Sequence, residues 1–266
     1  MEDTGTAAVI VNYRTKELTA DATWSVLAEP EVREVVVVDN ASGDGSVEFL
    51  RAQIGDRRVR VVESDANRGF GPGVNAGVAS CEAPLLLVLN SDATLRPGSL
   101  GLLAKALLAD PTVGVVAPAV LEPDGRLQPG AYGRLPKRRD IVLSNGWVSP
   151  RADRVRNEAA PGWVSGVAML LRRADFLAVG GFDERFSMYL EDVDLCRRLR
   201  DAGKSVHREP SAAVVHHGGK SWGSRREQTR RFHQSKLRYF ENLGASRLEL
   251  RLVRLTGSVR SALLRS

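Results

Sequence analysis

Val35-Val-Val-Val-Asp-Asn-Ala-Ser-Gly-Asp-Gly-Ser46 is a run of four β-branched residues that stops at an acid, an amide and a glycine-containing turn. A strand apolar at every position is buried on both faces, which in an α/β protein marks a parallel strand inside a sheet. Asp39 then stands at the carboxyl edge of that strand, where open sheets of this class bind ligands. Two other segments repeat the pattern. Ala7-Ala-Val-Ile-Val-Asn-Tyr13 ends an apolar run in polar residues, and Leu85-Leu-Leu-Val-Leu-Asn-Ser-Asp-Ala93 carries a lone carboxylate, Asp92, just past its end. Outward from these, the pattern predicts a strand over 7–12, a helix over 16–28, strands over 34–39 and 58–63, a helix over 71–80 and a strand over 85–90. A strand end and a helix after Pro97 fill 94–110, ahead of the apolar Val113-Gly-Val-Val-Ala117. Such alternation predicts an α/β fold with a mostly parallel central sheet flanked by helices. The stretch 122–162, rich in Pro, Gly and Arg, reads as a long loop region, part of which covers a binding site.

The strand ends suggest chemistry. A carboxylate at Asp39 can accept the imide N–H of uracil or thymine, or it can hold its own turn. Asp92 beside a diphosphate would suffice for Mg²⁺, which is commonly held by one or two carboxylates together with phosphates and waters. Between them lies Asn67-Arg-Gly-Phe-Gly-Pro-Gly-Val-Asn-Ala-Gly77, whose glycines permit close backbone approach to phosphate and whose helix start supplies free N–H groups. Arg68 adds a charge there. Gly71, Gly73 and Ala76 also match the dinucleotide fingerprint G-x-G-x-x-A, which raises a nicotinamide-dependent oxidoreductase as an alternative. That fingerprint should open directly from the first strand of its unit, whereas here Val59-Arg-Val-Val62 is followed by a polar connection.

Met188-Tyr-Leu-Glu-Asp-Val-Asp-Leu-Cys-Arg-Arg-Leu-Arg-Asp-Ala-Gly203 reads as an amphipathic helix, with apolar Val193, Cys196 and Leu199 at three-residue spacing and Gly203 as its stop. Glu191 and Asp192 sit at its start. Acids there cap helices and complement the dipole, and a carboxylate so presented can also serve as a catalytic base.

Taken together, Val-Asn-Tyr13, Val-Asp-Asn-Ala-Ser42, Asn-Arg-Gly-Phe-Gly71 with Asn75, Asn-Ser-Asp92, Trp163-Val-Ser-Gly166, Gly-Gly-Phe-Asp-Glu184 and Glu-Asp-Val-Asp194 resemble the inverting glycosyltransferases of family 2. Within that family they are similar to bacterial rhamnosyltransferase-like members, over about residues 7 to 222. The resemblance implies a GT-A fold and a nucleotide-sugar site formed by Asn12, Tyr13, Asp39, Asn40, Asn67, Arg68, Gly69, Asn75, Asn90, Ser91 and Asp92. Asn-Ser-Asp92 corresponds to a D-x-D motif whose first acid is Asn90 here, which makes Asp92 the direct ligand of Mg²⁺ or Mn²⁺. His216, at the end of the apolar run Ala212-Ala-Val-Val215, is implied as a further metal ligand; read by itself it could equally cap a strand end. Asp192 is implied as the base and Glu191 as the neighbour that tunes it. Trp163, Ser165 and Gly166 are implied at the acceptor, although a tryptophan beside an apolar run also reads as core. The expected donor is dTDP-rhamnose, with a UDP-sugar as the alternative, and the expected acceptor is a glycan or polyprenyl-diphosphate-linked hydroxyl of the cell envelope.

With 266 residues, 43% of them hydrophobic, the chain can bury a substantial single core. Cys81 and Cys196 lie far apart, which indicates neither a disulfide framework nor a zinc site and fits a reducing cytoplasm. The start of the chain lacks a basic n-region, and no apolar stretch reaches membrane-spanning length, so neither a signal peptide nor a transmembrane helix is expected. Charge is uneven. From Gly219 to Ser266 there are twelve Lys/Arg and three acids, or +9, which leaves −3 for the remainder of a chain whose net charge is +6. Leu248, Leu252, Leu255, Val259 and Leu263 recur among arginines as a cationic amphipathic helix. The chain therefore divides into a catalytic domain, 1–222, and a basic helical segment, 223–266. That segment either lies on the anionic inner face of the cell membrane as a peripheral contact or packs on the domain or on a second subunit of a homodimer. Nucleic acid is not expected as a partner, because only Phe232, Tyr239 and Phe240 accompany the basic residues of the segment. A catalytically silent nucleotide-sugar or polyanion-binding protein is the remaining alternative, against which Asp39, Asp92 and Asp192 argue as a set.

Overall fold

The computed structural model describes residues 5–138, 140, 160–218 and 225–263. Strands β1 (Thr6–Asn12), β2 (Val32–Asp39), β3 (Val59–Glu63) and β4 (Leu85–Asn90) run parallel in the spatial order β3-β2-β1-β4. The same sheet continues through β9 (Ala168–Arg172), β6 (Val113–Leu121), β10 (Ser205–His216) and the short β5 (Ala93–Leu95). Only β9 and β5 run against their neighbours. A two-stranded ladder of β7 (Tyr132–Gly133) and β8 (Trp163–Val164) stands beside the sheet.

Side-chain alternation explains why the central strands are apolar throughout. In β1, Ala7, Val9 and Val11 enter one core while Ala8 and Ile10 enter the other, and β2 and β4 divide in the same way. Helices α1 (Lys16–Leu27), α2 (Ser46–Gln53) and α4 (Ser99–Leu108) cover the second face through residues such as Val26, Leu50 and Leu103. Helices α3 (Phe70–Ala79), α6 (Glu191–Asp201) and α7 (Arg225–Asn242) cover the first through Val74, Leu195 and Tyr239. A six-residue helix, α5 (Arg173–Ala178), follows β9, and α8 (Arg247–Leu263) follows α7.

The structure departs from the sequence reading at α2 and at β6. Ser46–Gln53 forms α2 where the sequence predicts a turn; its apolar residues are few, and buried Val47 and Leu50 with half-buried Phe49 anchor it. β6 extends to Leu121 through Pro118, a residue that cannot donate to a ladder, and β10 shifts register opposite it between Glu209 and Ala213. The start of α4 is closed by a distant residue. The buried carboxylate of Glu29 accepts the N–H groups of Gly98 (2.7 Å) and Leu100 (2.9 Å), satisfying donors that a helix start leaves open.

Glycines of the fingerprint-like stretch serve packing. A Cβ on Gly71 would meet Phe182 at 2.9 Å, one on Gly73 would meet Val11 at 2.8 Å, and one on Gly77 would meet Val9 at 2.5 Å and Val38 at 3.1 Å. Their absence of side chains lets α3 lie directly on β1 and β2. Gly77→Val should therefore destabilise the fold by about 1–3 kcal/mol through overpacking, against a helix-propensity gain of a few tenths of a kcal/mol. Urea unfolding measures this, and an unchanged midpoint would show that α3 has room to step away from the sheet.

Candidate functional site

The carboxyl ends of β1, β2 and β4 open into a cleft of about 450 Å³, bordered also by the 128–130 turn, β8, the 188–193 segment and α7. Among its lining residues are Tyr13, Asn40, Asn67, Gly69, Asn90, Ser91, Asp92, Trp163, Ser165, Gly166, Glu191, Asp192 and His216, thirteen of the seventeen positions singled out from sequence. The lining runs from Val11 to Phe232 and draws on the ends of β1, β2 and β4, the start of α3 and segments from Gln128 onward, so long-range pairing assembles what the sequence scatters.

Four of those positions do not border the cleft. Asn12 is fully buried, and its side chain donates to Asp39 Oδ1 (2.6 Å) while accepting from Thr19 Oγ1 (2.7 Å). Asp39, 1% exposed, also accepts from the N–H (2.9 Å) and Oγ (2.6 Å) of Ser42. The expectation of an outward-facing Asp39 is thus replaced by a carboxylate turned into the loop it closes, which leaves the rim to Asn40, whose side chain donates to the Gly69 carbonyl (2.8 Å). Arg68 is exposed and paired with Asp65 at 3.0 Å. Asn75 exchanges two hydrogen bonds of 2.9 Å with the backbone of Phe182, so it ties α3 to the 180–186 turn.

At the helix start Gly69 has φ 107°, and a Cβ there would collide with the Ser187 carbonyl. Only glycine permits this approach of the loop before α3 to the segment that carries the carboxylate pair. That segment is itself unusual. Tyr189 (φ 66°) and Leu190 (φ 67°) are consecutive non-glycine residues in the left-handed region, each costing about 1–3 kcal/mol. They swing the chain so that α6 begins at Glu191 with its acids over the cleft. Asp192 is then held by the N–H groups of Gly166 (3.0 Å) and Val193 (2.8 Å). Burial pushes its carboxyl above the ordinary range, although these two N–H groups oppose the shift. Burial, and then the neighbouring Asp192, push Glu191 upward as well. Its Oε2 is buried without a hydrogen-bond partner, as suits a carboxyl that keeps its proton. Gly166, grouped with the acceptor by the resemblance, therefore holds Asp192 through its backbone.

β5 pairs with β10 so that Ala93 faces His216, and this brings Asp92 Oδ1 to 3.1 Å from His216 Nε2. His217 is exposed, and its N–H donates to the Asp92 carbonyl (2.9 Å). The other ring nitrogen of His216 lies 2.8 Å from Gln128 Oε1. An oxygen and an imidazole nitrogen side by side at the cleft wall are a donor set that suits Mg²⁺ or Mn²⁺ completed by phosphate and water. Among the described residues no cluster of three His, Cys, Asp or Glu is present, so protein ligands alone would leave such an ion incompletely held. Trp163 is 8% exposed, as a core tryptophan is, and also borders the cleft.

Sequence reasoning missed Gln128, Phe70, Tyr189, Gln228 and Phe232, all of which line the cleft. Gln128 lay in a stretch without periodicity, and Gln228 and Phe232 lie on α7, beyond the boundary drawn at 222. α7 belongs to the main core: Ser235, Lys236, Tyr239 and Phe240 are at most 2% exposed, and Tyr239 donates to the Pro136 carbonyl (3.2 Å). Asn242 bonds Asp194 and Asp183, both at 3.1 Å.

Comparison with known proteins follows the same lines. The family described as "Glycosyl transferase family 2" matches residues 7–178. N-acetylglucosaminyl-diphospho-decaprenol L-rhamnosyltransferase of Mycobacterium tuberculosis is 34% identical over 76% of this chain and 72% of its own length. Succinoglycan biosynthesis protein ExoU of Rhizobium meliloti is 32% identical over 81% of this chain and 64% of its own. In structure, the mannosyltransferase PcManGT from Pyrobaculum calidifontis, solved with GDP-Man and Mn²⁺, superposes with TM-score 0.62 at 17% identity, over 96% of this chain and 73% of that one. That likeness is one of fold, and the fold is GT-A.

The raised carboxyl of Glu191 makes a prediction about stability. Below about pH 4 folded and unfolded chains both hold this proton. Above it the unfolded chain releases the proton while the folded one retains it, so the native state loses stability as pH rises, until the folded carboxyl ionises too. Glu191→Gln should remove that loss, with a Tm gain near zero at pH 4 that grows toward pH 8. Thermal unfolding across this range checks it; a gain independent of pH, or none, would show that Glu191 titrates as an ordinary carboxyl.

Proposed function

The chain belongs to glycosyl transferase family 2 and is a glycosyltransferase; from this premise we propose that it transfers L-rhamnose from dTDP-rhamnose, with inversion, to a hydroxyl of a lipid-linked or cell-envelope glycan. The observation that carries the reading is that one cleft holds both a half-buried, amide-anchored carboxylate, Asp192, and the Asp92–His216 pair. The rhamnosyl donor and the polyprenyl-linked acceptor rest on the likeness to the mycobacterial rhamnosyltransferase, whose name specifies both kinds of group. A UDP-sugar is the alternative donor, since thymine and uracil differ by one methyl, worth about 1 kcal/mol of burial.

In this reading Asp192 removes the proton of the acceptor hydroxyl while that oxygen attacks the anomeric carbon. The bond from that carbon to the diphosphate oxygen breaks, and the nucleoside diphosphate leaves with the electron pair. One displacement inverts the centre, so no carboxylate is needed as a nucleophile. The elevated affinity of Asp192 for protons suits a base working near neutral pH. Gly69 and Phe70 border the cleft at the start of α3, where free N–H groups and the helix dipole favour a diphosphate. Asp92 and His216 would hold Mg²⁺ or Mn²⁺, which when bound neutralises charge on the departing diphosphate. Gln128 is then placed to fix the His216 ring through its second nitrogen.

Calorimetric titration tests this directly. Nucleotide-sugar binding that needs Mn²⁺ and vanishes with EDTA is expected for dTDP-rhamnose; a UDP-sugar binding in its place would reassign the donor. Asp192→Asn should retain that binding and lower kcat by about 10²–10⁴, the usual worth of a general base. Transfer at the wild-type rate would remove Asp192 from the chemistry.

The basic C-terminal helix bears on location. Among the described residues no helix is long and apolar enough to cross a membrane. α8 begins with a reciprocal capping box, in which Ser246 N–H donates to Glu249 (2.7 Å) and Glu249 N–H to Ser246 Oγ (3.3 Å), and Arg138 grips Glu249 at 2.7 Å. Leu250 and Val253 face the body, whereas Leu248, Leu252 and Leu255 are 68%, 43% and 63% exposed beside Arg251 and Arg254. An apolar stripe flanked by cations is complementary to an anionic lipid surface, which a lipid-linked acceptor would require the enzyme to reach. Leu252→Glu with Leu255→Glu should abolish sedimentation with phosphatidylglycerol vesicles while leaving the fold intact. Equal sedimentation of both proteins, or a change from dimer to monomer instead, would replace the membrane by a second subunit as the occupant of this face.

A further inference from the structure

We infer that α7 is a positioning element of the active site, and that Ser235 and Phe232 on it hold the strained Tyr189–Leu190 elbow in the conformation that aims Asp192. The inference rests on the family reading for the role of Asp192 and on independent geometry for the clamp. Two adjacent side-chain-bearing residues at φ 66° and 67° do not persist unless their surroundings over-determine them. The surroundings here come largely from α7. Ser235, 2% exposed, donates its hydroxyl to the Met188 carbonyl (2.5 Å), the peptide group immediately before the elbow. The Phe232 ring meets the Tyr189 ring edge-on, with centroids 5.8 Å apart. Ser235 lies one turn beyond Phe232 on the same helix face, so a single rigid surface grips both the backbone and the side chain of the elbow.

The far side is held as well. Asp194, fully buried in the first turn of α6, accepts from Asn242 on α7 (3.1 Å), from Arg197 (3.0 Å) and from Arg198 (2.7 Å). Asn242 also contacts Asp183 (3.1 Å) and Arg185 (2.9 Å) in the turn that leads into the elbow. α7 thus fastens the chain before the elbow, at it and after it. Released, the pair would gain by leaving the left-handed region, and α6 would begin elsewhere, carrying Asp192 away from the Gly166 N–H. A segment set apart by its charge in the sequence would then be what keeps the base in register. Ser235 acts on the backbone of the elbow and Phe232 on its Tyr189 ring, so both are positioning residues.

The test uses the full chain with Ser235→Ala, Phe232→Leu and the ring-retaining Phe232→Tyr. With dTDP-rhamnose and Mn²⁺, Ser235→Ala and Phe232→Leu should each lower kcat about tenfold with donor KM unchanged, and Phe232→Tyr, which keeps a ring against Tyr189, should recover most of what Phe232→Leu loses. A second readout needs no donor: the ¹³C titration of the Asp192 carboxyl, assigned by its loss in Asp192→Asn, with Glu191 and Cys196 as its titratable neighbours. Burial is the larger cause of its upward shift, so an elbow that relaxes should bring the midpoint down toward the ordinary carboxylate range. Variants with a lowered Tm but wild-type kcat and an unmoved Asp192 titration would reduce α7 to a purely structural helix and overturn the inference. If wild type itself transfers nothing from dTDP-rhamnose, the donor reading falls and the carboxyl titration alone decides the clamp.

Discussion

Burial of parallel strands on both faces is the constraint from which the rest of this structure descends. β1, β2 and β4 have apolar cores above and below, so polar side chains can emerge only where the strands end. That condition gathers Asn12, Asp39, Asn40, Asn90, Ser91 and Asp92 along one edge of the sheet. Buried groups there must find partners, and Asn12 and Asp39 find each other and Ser42, becoming the rigid floor of the site. The neighbours one position on, Tyr13 and Asn40, are left facing the cleft.

A second requirement is that a carboxylate be kept in a largely dry place without being neutralised by a cation. Asp192 meets it through two backbone N–H groups, which favour the charged form while burial disfavours it. Glu191, beside it and lacking such support on Oε2, retains its proton more readily. Environments that push two adjacent acids apart in this way separate a base from a neutral neighbour. The geometry that achieves this is strained, and the strain is borne by packing between α6, α7 and the 180–190 turn. In the proposed role of Asp192, the stability of α7 and the placing of that carboxyl are coupled quantities.

Much of the site was legible because its residues sit at the ends of strongly patterned elements. Asn90, Asp92 and Asp192 stand at strand and helix termini, where the pattern marks them as candidates, whereas the family resemblance is what singles out His216 from His217. Asp39 was found too, but its direction was not, since a turn aspartate and a ligand-facing one share the same local sequence. The capping box at Ser246 and Glu249 was present in the pattern S-x-x-E and went unread. Glu29 and Asn75 had no local signal: their partners lie 69 and 107 residues away. The charge excess after Gly219 suggested a separate segment, whereas Tyr239 and Phe240 show α7 built into the core. Net charge reports the solvated face of a helix and says little of the face it buries.

By itself, the sequence determined the alternation of strands and helices, the sheet edge that carries polar groups, and the family to which those groups belong, because each is encoded in residues close together along the chain. Only the tertiary structure decided that β9 runs against the sheet, that Gln128 stands behind His216, that Gly166 anchors Asp192, and that α7 grips the elbow before it. Those are contacts between segments tens to more than a hundred residues apart. Their existence depends on how helices and loops stack on a twisted sheet, and no local pattern of apolar and polar residues specifies that.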